Sequence, residues 1–199
     1  MQLKMKKEEA MPFKWDSTTV IMDGEPYKRA PKTYRYCLTG NKDAKNPLVV
    51  IGLNPSTADE KESDKTMSKV VYFMENKSFD GKNFDGFVML NLYPLRTPCP
   101  EELKRSGIDP KEHKKNLDGI KKHIESINEP TILLAFGTNI VKIAGLVDCF
   151  KEIVKECKTY NPKWCCLGIT KYGHPAHPLY LSNDSEITKF DVEEYLNKL

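Results

Sequence analysis

Hydrophobic residues gather in four short runs that interrupt an otherwise polar chain. The runs are nearly continuous rather than alternating with polar positions, and β-branched residues are common in them, which is typical of strands covered on both faces. They lie at 48–51, 87–90, 131–136 and 164–169. The pattern predicts four strands of a buried, mainly parallel sheet.

Apolar residues with helical spacing lie in each of the three gaps between the predicted strands, and a further set follows the last strand. The apolar residues recur mostly three and four positions apart, as on the buried face of a helix. The sets are Met67, Val70, Val71 and Met74; Leu117, Ile120, Ile124 and Ile127; Ile140, Ile143, Ala144 and Val147; and Ile187, Phe190, Tyr195 and Leu196. Right-handed crossovers would place these helices on both faces of the sheet. The predicted fold class is α/β, with three αβα layers around a mainly parallel four-stranded sheet.

The first 46 residues have a different pattern. An apolar stretch at 18–22, the pair Asp23-Gly24 and a return through 34–38 predict a loose hairpin, turned at Asp-Gly, that covers one sheet edge. With 199 residues, 39% of them hydrophobic, the chain is long enough for one domain and crowded for two. We therefore predict a single domain over 1–199, with an N-terminal extension at 1–46 and an α/β core at 47–199.

Composition narrows the function classes. The chain has 31 basic and 28 acidic residues, a net charge of +3 that argues against a DNA-coating protein, so any nucleic-acid contact must be local. Six cysteines without a C-x-x-C pair indicate reduced thiols rather than zinc ligands. No apolar run approaches the roughly 20 residues of a membrane span, and no signal sequence follows the first lysines. We expect a cytoplasmic protein with no cofactor, no bound metal and no membrane partner; its oligomeric state is left open.

In an open parallel sheet, ligands bind beyond the carboxyl ends of the strands. The first such loop begins with Gly52, which permits a close turn, and Asn54, and Pro55 stiffens it. Ser56 or Thr57 can cap the following helix and leave free N–H groups for an anion or a polar ring edge. The alternative is an ordinary strand-to-helix turn without a ligand.

The next loops add further polar candidates. Asn91 ends the second strand, and its amide offers the donor and acceptor that reading a nucleobase requires, although it could equally tie down a loop. Tyr93 could stack on a flat ligand or belong to the core, and Arg96 comes to the same rim. Gly137 follows the third strand. Asp64 could orient water or stabilise a cation, or its negative charge could simply interact favourably with the dipole at the start of the helix.

Two His-Pro pairs lie three residues apart near the fourth strand. His174 and His177 can donate to a developing anion or move a proton near neutral pH, and the prolines restrict the loop to few conformations. Histidines are more often structural, but two on one stiff loop at the predicted rim favour a functional role.

Several motifs together resemble a family of bacterial and phage proteins, domain of unknown function 1643. They are Tyr34-Arg35-Tyr36, the run G-L-N-P-S-T-A, Asp64-Lys65-Thr66, N-L-Y-P-L-R and G-H-P-A-H-P-L-Y-L, in this order between residues 33 and 181. The resemblance implies membership of a family but no activity.

A more distant resemblance is to the uracil-DNA glycosylase superfamily, through a Gly-x-Asn-Pro loop, a strand ending in Leu-Asn, a strand ending in glycine and a late His-Pro loop before a leucine. It implies a three-layer fold around four parallel strands. It also implies that Asn54 orients water, Asn91 reads the base and His174 or His177 stabilises the leaving base, while Leu179 replaces a flipped base. The chain departs from that pattern, since its late loop reads His-Pro-Ala-His-Pro.

Three functions follow as hypotheses. The first is a nucleobase-recognising hydrolase that cleaves an N-glycosidic bond in DNA or in a nucleotide, and the second is a non-catalytic binder of nucleic acid or nucleotide. The third is a metal-dependent phosphate-ester hydrolase using Asp64, against which the sequence has no dense cluster of metal ligands.

Overall fold

The computed structural model describes residues 13–199; the first twelve residues of the predicted extension lie outside them. The strands are β1 (Val20–Gly24), β2 (Arg35–Gly40), β3 (Leu48–Gly52), β4 (Ser78–Phe79), β5 (Lys82–Asn83), β6 (Phe87–Asn91), β7 (Thr131–Leu134), β8 (Lys163–Cys166) and β9 (Thr188–Lys189). The helices are α1 (Lys65–Asn76), α2 (Pro100–Ser106), α3 (Pro110–Ile124), α4 (Leu146–Cys157) and α5 (Val192–Leu196). The chain therefore forms a mixed α/β fold.

The main sheet has seven strands in the order β1-β2-β6-β3-β7-β8-β9. The four predicted strands correspond to β3, β6, β7 and β8, which run parallel to one another. The predicted total of four was wrong, because three antiparallel strands extend the sheet: β2 pairs with β6 and β1 with β2 at one edge, where the hairpin was predicted, and β9 pairs with β8 at the other. These added strands satisfy backbone groups that a four-stranded sheet would leave unpaired at its edges.

Helices cover both faces of the sheet, as the continuous apolar strands predict. Val49 and Ile51 of β3 point into a core with residues of α3, α4 and α5, whereas Leu48 and Val50 point into a second core with residues of α1. All five residues of β3 are buried. Because the helices lie on the faces, the carboxyl ends of the parallel strands stay open at one end of the molecule.

Helices α1 and α3 both begin at an aspartate cap. The prediction that Ser56 or Thr57 caps the first helix was wrong, because the loop after β3 continues past both residues to Asp64. The Asp64 side chain accepts a hydrogen bond of 2.9 Å from the Met67 N–H at the start of α1, and Asp109 accepts one of 2.8 Å from the Lys111 N–H at the start of α3. Met67 is buried, as the helical spacing predicts. Among the described residues, no helix is long and apolar enough to span a membrane.

Three boundaries differ from the sequence prediction. Residues 137–141 form a 3-10 turn, and α4 begins only after Gly145, whose φ of 87° interrupts the predicted helix at 140–147. The last helix starts at Val192, after the short strand β9. Gly24 is the last residue of β1 rather than a turn residue, and a Cβ there would lie 2.6 Å from the Arg35 Cα. The hairpin therefore closes through residues 25–34.

Candidate functional site

A cavity of about 400 Å³ lies beyond the carboxyl ends of the parallel strands. Its volume falls in the range of small-molecule sites, roughly 300–1,000 Å³. Seven predicted site residues line it: Gly52, Asn54, Ser56, Asp64, Gly137, His177 and Leu179. Six others do not line it: Pro55, Thr57, Asn91, Tyr93, Arg96 and His174. Loops that are far apart in sequence thus meet at one polar cavity.

Asn54 contributes an acceptor to the cavity. Its Nδ2 donates to the carbonyl oxygens of Pro55, Leu95 and Thr97, at 3.0, 3.2 and 2.9 Å. These bonds tie the loop after β3 to the loop after β6, and they fix the orientation of the amide. The side-chain oxygen Oδ1 makes no hydrogen bond with any residue in the described part of the chain, so it remains available to a ligand or a water molecule.

His177 presents a donor to the cavity. Its Nδ1 accepts a hydrogen bond of 3.3 Å from the Leu179 N–H, so the proton of the neutral ring is on Nε2. Burial lowers the pKa of the imidazole, and the charge of Asp64 opposes that shift only in part. The side chain is therefore a neutral Nε2–H donor at neutral pH.

His174 points away from the cavity. It is buried, and its Nδ1 forms a hydrogen bond of 2.8 Å with the hydroxyl of Tyr195 in α5. Burial lowers its pKa as well. The two histidines of the loop thus differ: His177 faces the cavity, and His174 connects the loop to the helical core.

Asp64 performs two tasks. One carboxylate oxygen, Oδ1, caps α1 through the Met67 N–H, and the side chain also lines the cavity. Oδ2 has no hydrogen-bond partner between residues 13 and 199, so it can accept from a ligand or stabilise a nearby positive charge. A structural role at the start of α1 and a place on the cavity wall are therefore compatible in this one carboxylate.

Asn91 lies just behind the cavity. It is completely buried, and both Nδ2 and Oδ1 lack a partner among the described residues. A Cβ on Gly52 would come within 2.6 Å of the Met89 Cε and 2.9 Å of the Asn91 Oδ1, and both Gly52 and Met89 line the cavity. The missing side chain of Gly52 thus lets the amide approach the cavity closely.

The remaining predicted residues support the loops. Arg96 is buried, and its guanidinium donates to the carbonyls of Glu25, Ser56, Thr57 and Ala58. It therefore holds the first loop in place instead of facing the rim. The single carbonyl of Pro55 accepts from the Thr97 N–H at 2.8 Å and from Asn54 Nδ2. The Tyr93 hydroxyl accepts from the Asp109 N–H at 2.9 Å, and the ring is buried in the core.

Sequence reasoning missed several residues that line the cavity, chiefly Arg35, Phe136 and Tyr180. Phe136 is buried against Phe150, and Tyr180 is 83% exposed at the mouth. Both Arg35 and Tyr180 lie in motifs that carry the family resemblance, so that resemblance was the available signal. No group of three or more His, Cys, Asp or Glu side chains within 13–199 is arranged to hold a metal ion.

Comparison with known proteins gives one match. A family model described as "Protein of unknown function (DUF1643)" matches residues 35–179. No curated protein and no solved structure matches the chain. The matched range contains Asn54, Asp64 and His177, so the cavity lies almost entirely within the part that defines the family.

Proposed function

The chain belongs to the DUF1643 family, and we propose that its cavity binds a nucleobase-bearing ligand, in DNA or as a nucleotide, and hydrolyses the N-glycosidic bond. The observation that carries the proposal is that a neutral histidine donor and a carboxylate line the same cavity. His177 offers Nε2–H, and Asp64 offers Oδ2, on the walls of one cavity. These are the two charge-stabilising groups that cleavage of such a bond requires.

The chemistry follows from the charges that develop. When the bond between C1′ and the base nitrogen breaks, its electron pair leaves with the base and the sugar becomes cationic. The Nε2–H of His177 stabilises the base anion, and the carboxylate of Asp64 stabilises the sugar cation. A water molecule held by Asn54 Oδ1 adds to C1′, and its proton passes to the base, giving a free base and a hydroxyl on the sugar.

Recognition of the base is assigned to Asn91 and to the apolar wall. The Asn91 amide has both an unpaired donor and an unpaired acceptor, the pair that a heterocycle edge can satisfy. Phe136 and Met89 supply apolar surface for a flat ring. The four parallel strands and the order of these loops support the resemblance to the uracil-DNA glycosylase superfamily, which forms part of this proposal.

A second candidate function is binding without catalysis. Asn54 favours it, since the amide nitrogen is fully engaged with three backbone carbonyls and the side chain serves the loop whether or not a water molecule is bound. In that case His177 and Asn91 would bind the ligand and no bond would break.

The test measures release of free base by chromatography. The substrates are the natural deoxynucleosides, their 5′-monophosphates, and single- and double-stranded DNA containing uracil or other modified bases. We expect release from at least one substrate, a loss of about 100-fold or more in His177→Ala, and a comparable loss in Asp64→Asn. His174→Gln is the matched control, because His174 lies on the same loop outside the cavity.

Three outcomes separate the candidates. Release that depends on His177 and Asp64 but not on His174 supports hydrolysis. Binding of a nucleotide without release of base, sensitive to His177→Ala, supports the non-catalytic binder. Neither binding nor release across the panel contradicts both.

A further inference from the structure

Arg35 has an unusual environment for an arginine. Only 2% of its surface is exposed, yet the residue lines the cavity. Its Nη1 donates to the carbonyl oxygen of Ala58. Its Nε is buried without a partner, and no hydrogen bond is made by its Nη2 within the described chain. One complete edge of the guanidinium, formed by Nε and Nη2, is therefore unpaired.

No carboxylate neutralises this charge at close range. None of the ion pairs found within residues 13–199 includes Arg35 or its neighbour Arg96, whose donors go mainly to backbone carbonyls. Asp64 and Asp59 act on Arg35 only through longer-range attraction, and Arg96 repels it. Two buried guanidinium groups thus lie together beside the cavity.

Burial of a charge without a partner is unfavourable, so such a group needs a compensating role. Burial and the neighbouring Arg96 lower the pKa of Arg35 to about 10, which still leaves the side chain positively charged at neutral pH. Arginine is also the side chain whose rigid fork matches the paired oxygens of a carboxylate or phosphate.

The cavity holds further donors suited to a tetrahedral anion. The hydroxyl groups of Ser56, Thr66 and Thr138 line it, and none of them makes a hydrogen bond with another described residue. A phosphate has more acceptor oxygens than a planar carboxylate, so it can bind the guanidinium edge and hydroxyl groups together.

We propose that Arg35 binds a phosphate group of the ligand through its Nε–Nη2 edge, so that the cavity recognises a nucleotide rather than a nucleoside. This inference rests on the proposed function for the rest of the ligand. The phosphate is either the monoester of a free nucleotide or the diester of a nucleic-acid strand, since both present two oxygens to a guanidinium edge. Arg35 is thereby a specificity-determining residue, and Asp64 remains the carboxylate that faces the sugar.

The experiment is isothermal titration calorimetry of the whole protein with four probes: inorganic phosphate, deoxynucleosides, their 5′-monophosphates and a five-nucleotide single strand. For the wild type we expect the best monophosphate or the strand to bind about 10- to 100-fold more tightly than the matching nucleoside. In Arg35→Lys, which keeps the charge but loses the fork, and in Arg35→Met, that preference falls to about 3-fold or less. Arg105→Gln is the matched control, because Arg105 is exposed on α2 outside the cavity, and its one hydrogen bond with a described residue is to the Glu101 carbonyl in its own helix.

A second measurement uses only the wild type, in case the Arg35 variants fail to fold. The unfolding temperature is measured in sodium phosphate and in sodium chloride at equal ionic strength. We expect phosphate but not chloride to raise the unfolding temperature and to compete with the nucleotide for binding. If the monophosphate binds most tightly, the ligand is a free nucleotide. If the single strand binds most tightly, the ligand is a nucleic acid bound through a phosphodiester.

The results also separate this inference from the proposed function. Equal affinity for nucleoside and nucleotide, unchanged in Arg35→Lys, overturns the phosphate site and leaves nucleobase binding intact. Binding of inorganic phosphate that depends on Arg35, without any preference for a base, supports the phosphate site and counts against the proposed function. No stabilisation by phosphate and no nucleotide binding overturns both.

Discussion

Replacing Asn91 with leucine should make the protein more stable and less able to bind its ligand. Asn91 is completely buried at the end of β6, and neither polar atom of its amide has a partner among the described residues. Leucine has the same branching and the same number of side-chain heavy atoms, without polar groups to satisfy. The hydrogen bond of 3.0 Å that Asn116 Nδ2 donates to the backbone carbonyl of Asn91 does not depend on the Asn91 side chain.

The size of the effect follows from two opposing contributions. A buried polar group without a partner costs about 1–3 kcal/mol, so the donor and acceptor together cost about 2–6 kcal/mol. The methyl groups of leucine are larger than the amide atoms, and this overpacking costs about 1–3 kcal/mol. With the middle of each range, we expect a net gain of about 2 kcal/mol in the free energy of unfolding, or roughly 4–8 °C in the unfolding temperature for a chain of this size.

Urea unfolding and calorimetry measure the increase in stability of Asn91→Leu. Nucleotide titration measures its affinity, which we expect to fall by about 10- to 100-fold. Asn116→Leu is the matched control. That side chain is also completely buried and its Oδ1 also lacks a partner among the described residues, but its Nδ2 donates to the carbonyls of Asn91 and Leu92. Because Asn116→Leu loses these hydrogen bonds, it should be less stable than Asn91→Leu by about 1–3 kcal/mol. If Asn91→Leu destabilises the protein as much as Asn116→Leu does, the amide has partners and the reasoning is wrong.

Further expected outcomes concern the histidine loop and the thiols. Tyr195→Phe removes the hydrogen bond to His174 and should lower the free energy of unfolding by about 1 kcal/mol in urea titrations, while nucleotide affinity stays unchanged. Burial lowers the pKa of His174 and His177 below the ordinary value of 6.5, so the unfolded chain binds more protons in acid. Stability should therefore be complete above about pH 6.5 and decline as the pH falls below it, less steeply in His174→Gln. Cys99, the one cysteine of the six that is not buried, should react first with a thiol reagent in the native protein, and rapid labelling of all six would contradict the packing.

The parallel strands could be predicted from the sequence because their signal is local. Buried parallel strands consist of consecutive apolar residues, and the runs at 48–51 and 87–90 are of that kind. The short strand β9 could not be predicted in this way, since both of its residues are exposed and it exists only because β8 offers an unpaired edge. The interruption before α4 depends on the positive φ of Gly145, which apolar spacing alone does not reveal.

The cavity was predictable as a location but not in its details. Parallel strands bring their carboxyl ends together whatever their sequences are, and Asn54, Asp64 and His177, which lie in the loops at that end, all line the cavity. It could not distinguish His174 from His177, because both precede a proline on the same loop. Their roles are decided by a partner 21 residues away, the hydroxyl of Tyr195, whose position depends on how α5 packs.

Arg35 illustrates why charge must be considered together with burial. In the sequence it is one basic residue among 31, near the start of a strand, and only its place in the motif Tyr34-Arg35-Tyr36 sets it apart. Its significance comes from three facts that only the fold provides: it is buried, its Nε–Nη2 edge is unpaired among the described residues, and the neighbouring charge that affects it most is a second arginine. A protein that needed only a stable interior would place an apolar residue there. The energetic cost of keeping the charge is thus the reason to look for an anionic ligand in the cavity, and it makes Arg35 the position where structure and function can be tested with one substitution.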